Sequence, residues 1–168
     1  MQFVCNAEVT GNNLAPAGKA SQISNYLGHN SSPAAIDGNR NSSFSGGSCS
    51  HTLLDMSPWW QVDLQELHRI SSIVLVNRAD CCRERLWGAE VRIGYSPDNC
   101  NPVCATITNT TSKPVITLCC GGMEGRYISV VIPGRKEYLT LCEVEIYAAE
   151  PAAETPRGCW EEDVKLAV

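Results

Sequence analysis

Short segments with the spacing of β-strands divide the chain, and this pattern constrains the fold more than any other feature of the sequence. Residues 59–64 and 142–146 alternate between apolar and polar side chains, and residues 70–76 form a nearly continuous apolar run. These are the periods of half-buried and fully buried strands. Six or more such segments occur between turns, without a convincing amphipathic helix. The sequence therefore predicts an all-β sandwich or jelly roll.

Ten cysteines in 168 residues indicate an oxidising compartment, in which disulfides reinforce the core. Three Asn-x-Ser/Thr sequons also suit a secreted, extracellular protein. They begin at Asn30, Asn41 and Asn109. The net charge of −5 argues against a nucleic-acid surface. No apolar run reaches the ~18 residues of a transmembrane helix, so we expect no membrane insertion.

A loop between two predicted strands concentrates the chemistry of the chain. Residues 78–85 read Arg-Ala-Asp-Cys-Cys-Arg-Glu-Arg. A guanidinium group stays charged at ordinary pH and carries N–H donors in a fixed planar arrangement. Two such groups side by side suit a ligand that is rich in oxygen acceptors. Asp80 and Glu84 are the nearest acids that could hold such groups apart and aimed. The loop is therefore a candidate binding site.

Two features of the candidate site have alternative interpretations from the residues alone. A Cys81–Cys82 bond would stiffen the loop and expose a polarizable sulfur face. Neighbouring Cα atoms lie only ~3.8 Å apart, however, and bonds of that span are rare, so separate pairing with distant cysteines is favoured. Asp37-Gly38-Asn39 could hold a hard cation, but these residue types favour a plain turn.

Taken with His51, the loop forms the longer pattern His51, Arg78-x-Asp80-Cys81-Cys82-x-Glu84-Arg85. This pattern resembles the F-type lectins, the fucose-binding family named for the eel agglutinin. The likeness runs from about Leu14 to Tyr147 and includes further motifs: Ala35-Ile36-Asp37-Gly38-Asn39-Arg40, Ser48-Cys49-x-His51, Trp59-Trp60-x-Val62-Asp63-Leu64, Met123-Glu124-Gly125-Arg126-Tyr127 and Leu141-Cys142-Glu143-Val144-Glu145.

The resemblance implies a discoidin-like β-jellyroll with the ligand loops at one end. His51, Arg78 and Arg85 would converge on L-fucose as hydrogen-bond donors. The resemblance also implies a Cys81–Cys82 bond, which would lie against the ring carbons of the sugar. Phe44 would face its 6-methyl group, although Ser45 replaces a second aromatic residue that the family often has. Asp80 would support the arginines, and His29, in a variable loop, would contact the next sugar.

The resemblance further implies a structural calcium ion beside His51. Carboxylate oxygens of Asp37 and Glu143 would bind it, an oxygen set that suits a hard cation. The remaining expected ligands are the backbone carbonyls of Ala34, Asn39 and Cys142 and the oxygens of Ser48.

The family's disulfides map onto Cys49–Cys142, Cys81–Cys82 and Cys104–Cys120. We expect Cys100–Cys119 as a fourth bridge, which leaves Cys5 and Cys159 as a last pair. The lectin domain is expected at residues 13–148, after an extension at 1–12. Residues 149–168 are a linker or tail, and a weak echo of the N-terminal region there suggests the start of a second tandem domain.

We expect a secreted, non-catalytic lectin that binds terminal fucose on fucosylated glycans, in innate recognition of microbes, as a homotrimer or in tandem copies. A discoidin-like phospholipid- or protein-binding module is the alternative, but the loops offer few apolar residues and the chain is acidic. A glycosidase would need a protonated acid, whereas positively charged arginines flank the nearest acids, Asp80 and Glu84, and are expected to disfavour that form. Trp59, Trp60 and Trp87 are expected in the core.

Overall fold

The computed structural model describes residues 9–149, and it is an antiparallel all-β fold, which confirms the predicted fold class. Within this range the chain forms ten strands: β1 (Lys19–Gln22), β2 (Ser50–His51), β3 (Asp55–Met56), β4 (Trp59–Val76), β5 (Glu90–Gly94), β6 (Val103–Thr106), β7 (Val115–Val131), β8 (Lys136–Glu137), β9 (Thr140–Leu141) and β10 (Glu143–Ala148). Short 3₁₀ helices lie at Ala15–Ala17, Ser32–Ile36, Phe44–Gly46 and Arg83–Leu86.

Two long strands, β4 and β7, organise the main sheet. They pair along almost their whole length, and their register shifts between Asp63 and His68. The first half of β4 pairs with β1 and its second half with β10, while β5 and β6 extend the sheet beyond β7. The sequence predicted separate strands at 59–64 and 70–76. They form one strand because β7 runs alongside both and pairing resumes after the irregularity.

Both halves of β4 contribute to a single hydrophobic core. Trp60 and Val62 from the first half lie in the same buried cluster as Ile73 and Leu75 from the second half. One continuous cluster of buried side chains therefore runs along both halves of this strand. Burial of such side chains contributes roughly 1.5–3 kcal/mol each to folding.

The tryptophans differ in burial, and the expectation for Trp87 is wrong. Trp60 is fully buried, and its indole Nε1–H donates to the Ser32 carbonyl at 3.0 Å. Trp87 is 56% exposed, because Leu86 takes the core position at the end of the preceding 3₁₀ helix. Trp59 is only partly buried.

The structure contains the Cys49–Cys142, Cys81–Cys82 and Cys104–Cys120 bonds. The expected Cys100–Cys119 bond is wrong. Cys100 lies in the loop after β5 as a free, exposed thiol, whereas Cys119 is disulfide-bonded elsewhere. Both cysteines of the expected last pair, Cys5 and Cys159, lie outside the described residues.

The proposed domain limits stay a prediction, since most of the extension at 1–12 and the tail from 150 onward lie outside the described range. Among residues 9–149, no helix has both the length and the apolar character needed to cross a bilayer.

Candidate functional site

A cleft of about 290 Å³ opens among the loops beside β2 and β9. Its volume is at the lower end of the ~300–1,000 Å³ range of small-ligand sites. The structure brings five of the predicted site residues to this cleft, together with two tyrosines. The lining residues are Tyr26, Phe44, His51, Arg78, Cys81, Arg85 and Tyr138.

The His51 ring is at the centre of this group and is only 3% exposed. Its centroid lies 4.6 Å from the Tyr26 ring, 5.4 Å from Phe44 and 5.3 Å from Tyr138. Short β2–β9 pairing fixes the backbone of His51 opposite Thr140, and its N–H donates to the Asn30 carbonyl at 3.0 Å. The imidazole is therefore held in one orientation.

The hydrogen bonding of His51 determines its role. Nδ1 lies 2.7 Å from the Thr52 carbonyl, which can only accept, so Nδ1 carries the proton. Burial lowers the pKa of the ring; the Thr52 bond opposes this shift, and the charges of Arg78 and Arg85 add to it. A neutral ring of this tautomer presents Nε2 to the cleft as an acceptor, whereas the family resemblance suggested a donor.

Asp80 holds the Arg78 guanidinium through two hydrogen bonds, of 2.9 and 3.1 Å. The same carboxylate accepts a hydrogen bond from the backbone N–H of Phe44 at 3.2 Å. The Arg78 guanidinium carbon lies 4.5 Å from the centre of the Phe44 ring. The Arg78 bonds lower the pKa of Asp80, which keeps it ionised. Asp80 thus positions Arg78 and Phe44 and does not itself line the cleft.

Arg85 is positioned differently. Its guanidinium lies 5.0 Å from the centre of the Tyr138 ring, and Arg135 donates to the Arg85 carbonyl at 3.0 Å. Within residues 9–149 no acidic side chain forms an ion pair with Arg85. Its donors therefore remain available to a ligand.

The Cys81–Cys82 disulfide lies between the two arginines in the chain. Cys82 adopts a left-handed backbone conformation, with φ of 64°, and precedes the 3₁₀ helix that carries Arg85. Only Cys81 reaches the cleft lining. The adjacent bond, rather than separate distant pairing, is thus the arrangement that the structure shows.

Two lining residues, Tyr26 and Tyr138, were not identified from the sequence as site residues. Each lies within 6.4 Å of another ring in the cleft. No spacing rule connects positions 26 and 138 to the Arg78 loop, and only the β2–β9 end of the sandwich brings them together. His29, which was predicted to contact a second sugar, is exposed and does not line the cleft.

A second polar region, around Glu143, lies a few residues along the chain from His51 and from its strand partner Thr140. Glu143, at the start of β10, is fully buried, and neither carboxylate oxygen has a hydrogen-bond partner. Burial raises its pKa to about 8, and the Asp37 carboxylate adds to the rise. The N–H groups of Gly38 and Val144 offset part of this shift without reaching hydrogen-bond geometry.

Apart from Cys142, which precedes Glu143, the other expected cation ligands lie on two segments of the chain, residues 34–39 and the segment around Ser48. Ala34 is in the Ser32–Ile36 helix, Asp37 and Asn39 follow it, and the Cys49–Cys142 bond joins the Ser48 segment to that of Glu143. Among the described residues, no three His, Cys, Asp or Glu side chains form a metal-binding group. A cation here would therefore need backbone oxygens as well as the two acids. An orphaned buried carboxylate beside a second acid fits such a cation.

A family profile described as "NedA-like, galactose-binding domain" matches residues 34–130, which is more than half of the chain. Fucolectin-5 of Anguilla japonica is 46% identical over 151 residues, which are 85% of this chain and 79% of that protein. The chain belongs to the fucolectin family. A crystal structure of an F-lectin (fucolectin) from striped bass (Morone saxatilis) serum is 47% identical, with a TM-score of 0.79 over 84% of this chain.

Some fucolectin relatives are much longer than this chain. It spans 49% of the striped bass lectin and 33% of the Xenopus laevis pentraxin fusion protein, to which it is 41% identical over 81% of its own length. Membership of a lectin family confirms the prediction that the chain is not an enzyme.

Proposed function

We propose that the chain is an extracellular lectin that binds terminal L-fucose on glycans. The observation that carries this proposal is that Arg78, Arg85 and a neutral His51 line one cleft. Its relatives support it, since they are named fucolectins and the striped bass protein is described as an F-lectin (fucolectin).

The donor and acceptor pattern suits adjacent sugar hydroxyls. A hydroxyl can donate one hydrogen bond and accept two. Nε2 of His51 accepts the hydrogen bond that one sugar hydroxyl donates, while the guanidinium groups of Arg78 and Arg85 donate to the oxygens around it. Hydrogen bonds to charged groups contribute about 1.5–3 kcal/mol each. A site built on them rejects sugars whose hydroxyls are placed differently.

The aromatic rings and the Cys81 sulfur supply the apolar side of the cleft. Phe44 and Tyr26 lie 6.4 Å apart, and both contact His51. Tyr26 thus provides a second ring beside Phe44 where Ser45 lacks one. These surfaces suit the 6-methyl group and ring carbons of a deoxy-hexose, which would be desolvated against them.

Calcium completes the proposed lectin. Asp37 and Glu143, with the carbonyls of Ala34, Asn39 and Cys142 and the oxygens of Ser48, would hold the ion. Its charge would compensate the buried Glu143 and secure the segment that precedes His51. Innate recognition of microbes, with avidity from a homotrimer or tandem copies, is the biological role that we propose.

Replacement of Arg78 tests the fucose site. Arg78→Lys keeps the charge but loses the planar fork, so we expect L-fucose affinity to fall by about 10–100-fold, equivalent to the loss of one charged hydrogen bond. Isothermal titration calorimetry measures this, with D-galactose as the competing sugar.

Arg83→Lys is the matched control for this test. Arg83 lies in the same loop, but its guanidinium donates to the Thr111 and Ala79 carbonyls and does not line the cleft. Its affinity for fucose should stay near that of the parent protein. Unchanged fucose binding by folded Arg78→Lys protein would contradict the proposed site.

A further inference from the structure

The three sequons differ in what the fold does with their asparagines. An N-linked glycan attaches to the Nδ2 atom of asparagine. A glycosylated asparagine must therefore leave Nδ2 facing solvent in the folded protein. Asn30, Asn41 and Asn109 differ in this respect.

Asn30 does not meet the requirement that Nδ2 face solvent, because its side chain is buried in the core behind the cleft. The residue is 0% exposed, and Nδ2 donates to the Cys49 carbonyl at 3.0 Å. Its own carbonyl accepts the N–H of His51 at 3.0 Å. A glycan on Nδ2 would remove a buried hydrogen bond and displace the strand that carries His51. A chain modified there would not reach this fold.

Asn41 is exposed, but its amide packs against a turn of the candidate site. A Cβ atom built on Gly46 would lie 2.3 Å from Nδ2 of Asn41, and Oδ1 of Asn41 accepts the N–H of Ser43 at 3.1 Å. Gly46 closes the 3₁₀ turn that begins at Phe44. A glycan on Asn41 would therefore meet the turn that presents Phe44 to the cleft.

Asn109 lies on the irregular loop between β6 and β7, with both Asn109 and Thr111 exposed. Its Oδ1 accepts the N–H groups of Thr111 and Ser112, each at 3.3 Å, in a local turn. Its Nδ2 donates to the hydroxyl oxygen of Ser112, an exposed residue of the same loop, at 2.9 Å. Asn109, Thr111 and Ser112 are all exposed, so a substituent on Nδ2 would lie at the protein surface and not in the core.

We propose that Asn109 is an N-glycosylation site of this protein and that Asn30 and Asn41 are not used in the folded chain. This assignment rests on the extracellular location given under the proposed function. The donor would be an oligosaccharide carried on a polyprenyl diphosphate. A bond forms between Asn109 Nδ2 and the anomeric carbon, the bond from that carbon to the diphosphate oxygen breaks, and the amide loses one proton.

The position of Asn109 keeps a glycan outside the cleft. Its loop contacts the Arg78–Arg85 segment at Arg83, whose Nη1 donates to the Thr111 carbonyl at 3.3 Å, and Arg83 does not line the cleft. The glycan would thus cover the outer surface of the binding loop. Removing it should leave the affinity for free fucose unchanged.

The test is expression of the full chain through the secretory pathway of an animal cell, with purification by an affinity tag rather than by sugar binding. Treatment with peptide-N-glycosidase in heavy-oxygen water converts a glycosylated asparagine into labelled aspartate, which peptide mass spectrometry locates. We expect the label at Asn109 and at neither Asn30 nor Asn41. Thr111→Ala should abolish the label, while the matched variant Thr111→Ser should retain it.

Unlabelled Asn109 in the secreted protein would overturn the assignment, as would a label at Asn30 or Asn41 in folded protein. A separate measurement, calorimetry with fucose before and after glycan removal, gives the affinity of the cleft independently of the glycan mapping. Absence of fucose binding in both forms would contradict the proposed function and leave the glycan assignment standing.

Discussion

The cleft and the region around Glu143 differ in whether a charged side chain has a partner of opposite charge. Both regions are built on the same two segments, residues 48–51 and 140–143. His51 pairs with Thr140 in β2–β9, and the Cys49–Cys142 bond ties the residues next to Ser48 and Glu143. Arg78, which lines the cleft, already has its charge compensated by Asp80. Glu143, in contrast, is fully buried with both oxygens unsatisfied.

This difference reflects the ligands that the two regions suit. A neutral sugar brings no charge, so its site can be compensated and held in place before binding. Preorganisation of that kind avoids an ordering cost when the ligand arrives. The Glu143 carboxylate, next to that of Asp37, has no such compensation. A buried charge without a partner is strongly unfavourable. We therefore expect the cleft to depend on geometry and the Glu143 region to depend on a cation.

The largest expected effect is that of calcium on stability. An ion that binds only the folded state at 100 times its dissociation constant stabilises it by about 2.7 kcal/mol. For a domain of this size, that corresponds to a rise in Tm of about 5–10 °C. Differential scanning calorimetry with calcium and with a chelator measures the shift. Equal Tm values in both conditions would contradict the proposed cation site.

The pH dependence sharpens this prediction. Without metal, Glu143 has a folded-state pKa of about 8, above its ordinary 4.5, so the folded state binds the extra proton. The metal-free protein should lose stability as pH rises from about 4.5 through about 8. Calcium binds the ionised form, so its stabilising effect should grow over that window. Glu143→Gln should reduce both responses, whereas the exposed Glu66→Gln should leave them unchanged.

Acid should weaken fucose binding through His51. Burial lowers its pKa below the ordinary 6.5, so Nε2 is an acceptor at neutral pH. Protonation would replace that acceptor with a donor facing Arg78 and Arg85. We expect constant affinity above about pH 6.5 and then a fall that approaches tenfold per pH unit below the folded-state pKa. Titration calorimetry across pH measures this dependence.

His68→Gln is the control for the pH profile, since His68 is a partly exposed histidine outside the cleft. Its profile should match that of the parent. An affinity that stays constant down to about pH 4, where carboxylates begin to titrate, would show that His51 is not the acceptor.

The sequence predicted the parts of the cleft that are local and missed those that are remote. The arginines and the adjacent cysteines fall within eight residues, and residue chemistry alone marked them as a binding loop. His51 entered only through the family resemblance, because 27 positions separate it from Arg78. Tyr138 was missed, since its contact with Arg85 depends on how the loops meet at the end of the sandwich.

The errors in the predicted fold have the same origin. A period-of-two pattern identifies strand segments, but it does not reveal that β7 bridges residues 59–64 and 70–76 into one strand. Cys100 lies close in sequence to Cys104, yet only Cys104 reaches β7, where it bonds Cys120. Trp87 looked like a core residue from its position beside a strand, but Leu86 occupies the core there.

The smallest predicted effect tests whether the cleft is held in place before the ligand arrives. Asp80→Asn removes the ion pair with Arg78 but retains an oxygen that can accept the Phe44 N–H. Because the pair is partly exposed, we expect a loss of only about 0.2–1 kcal/mol in fucose binding, or about 1.5–5-fold, with little change in Tm. Glu84→Gln, an exposed change in the same loop, should have no such effect. Equal affinities for the two variants would mean that stacking on Phe44 alone aims Arg78, and that charge compensation does not distinguish the cleft from the Glu143 region.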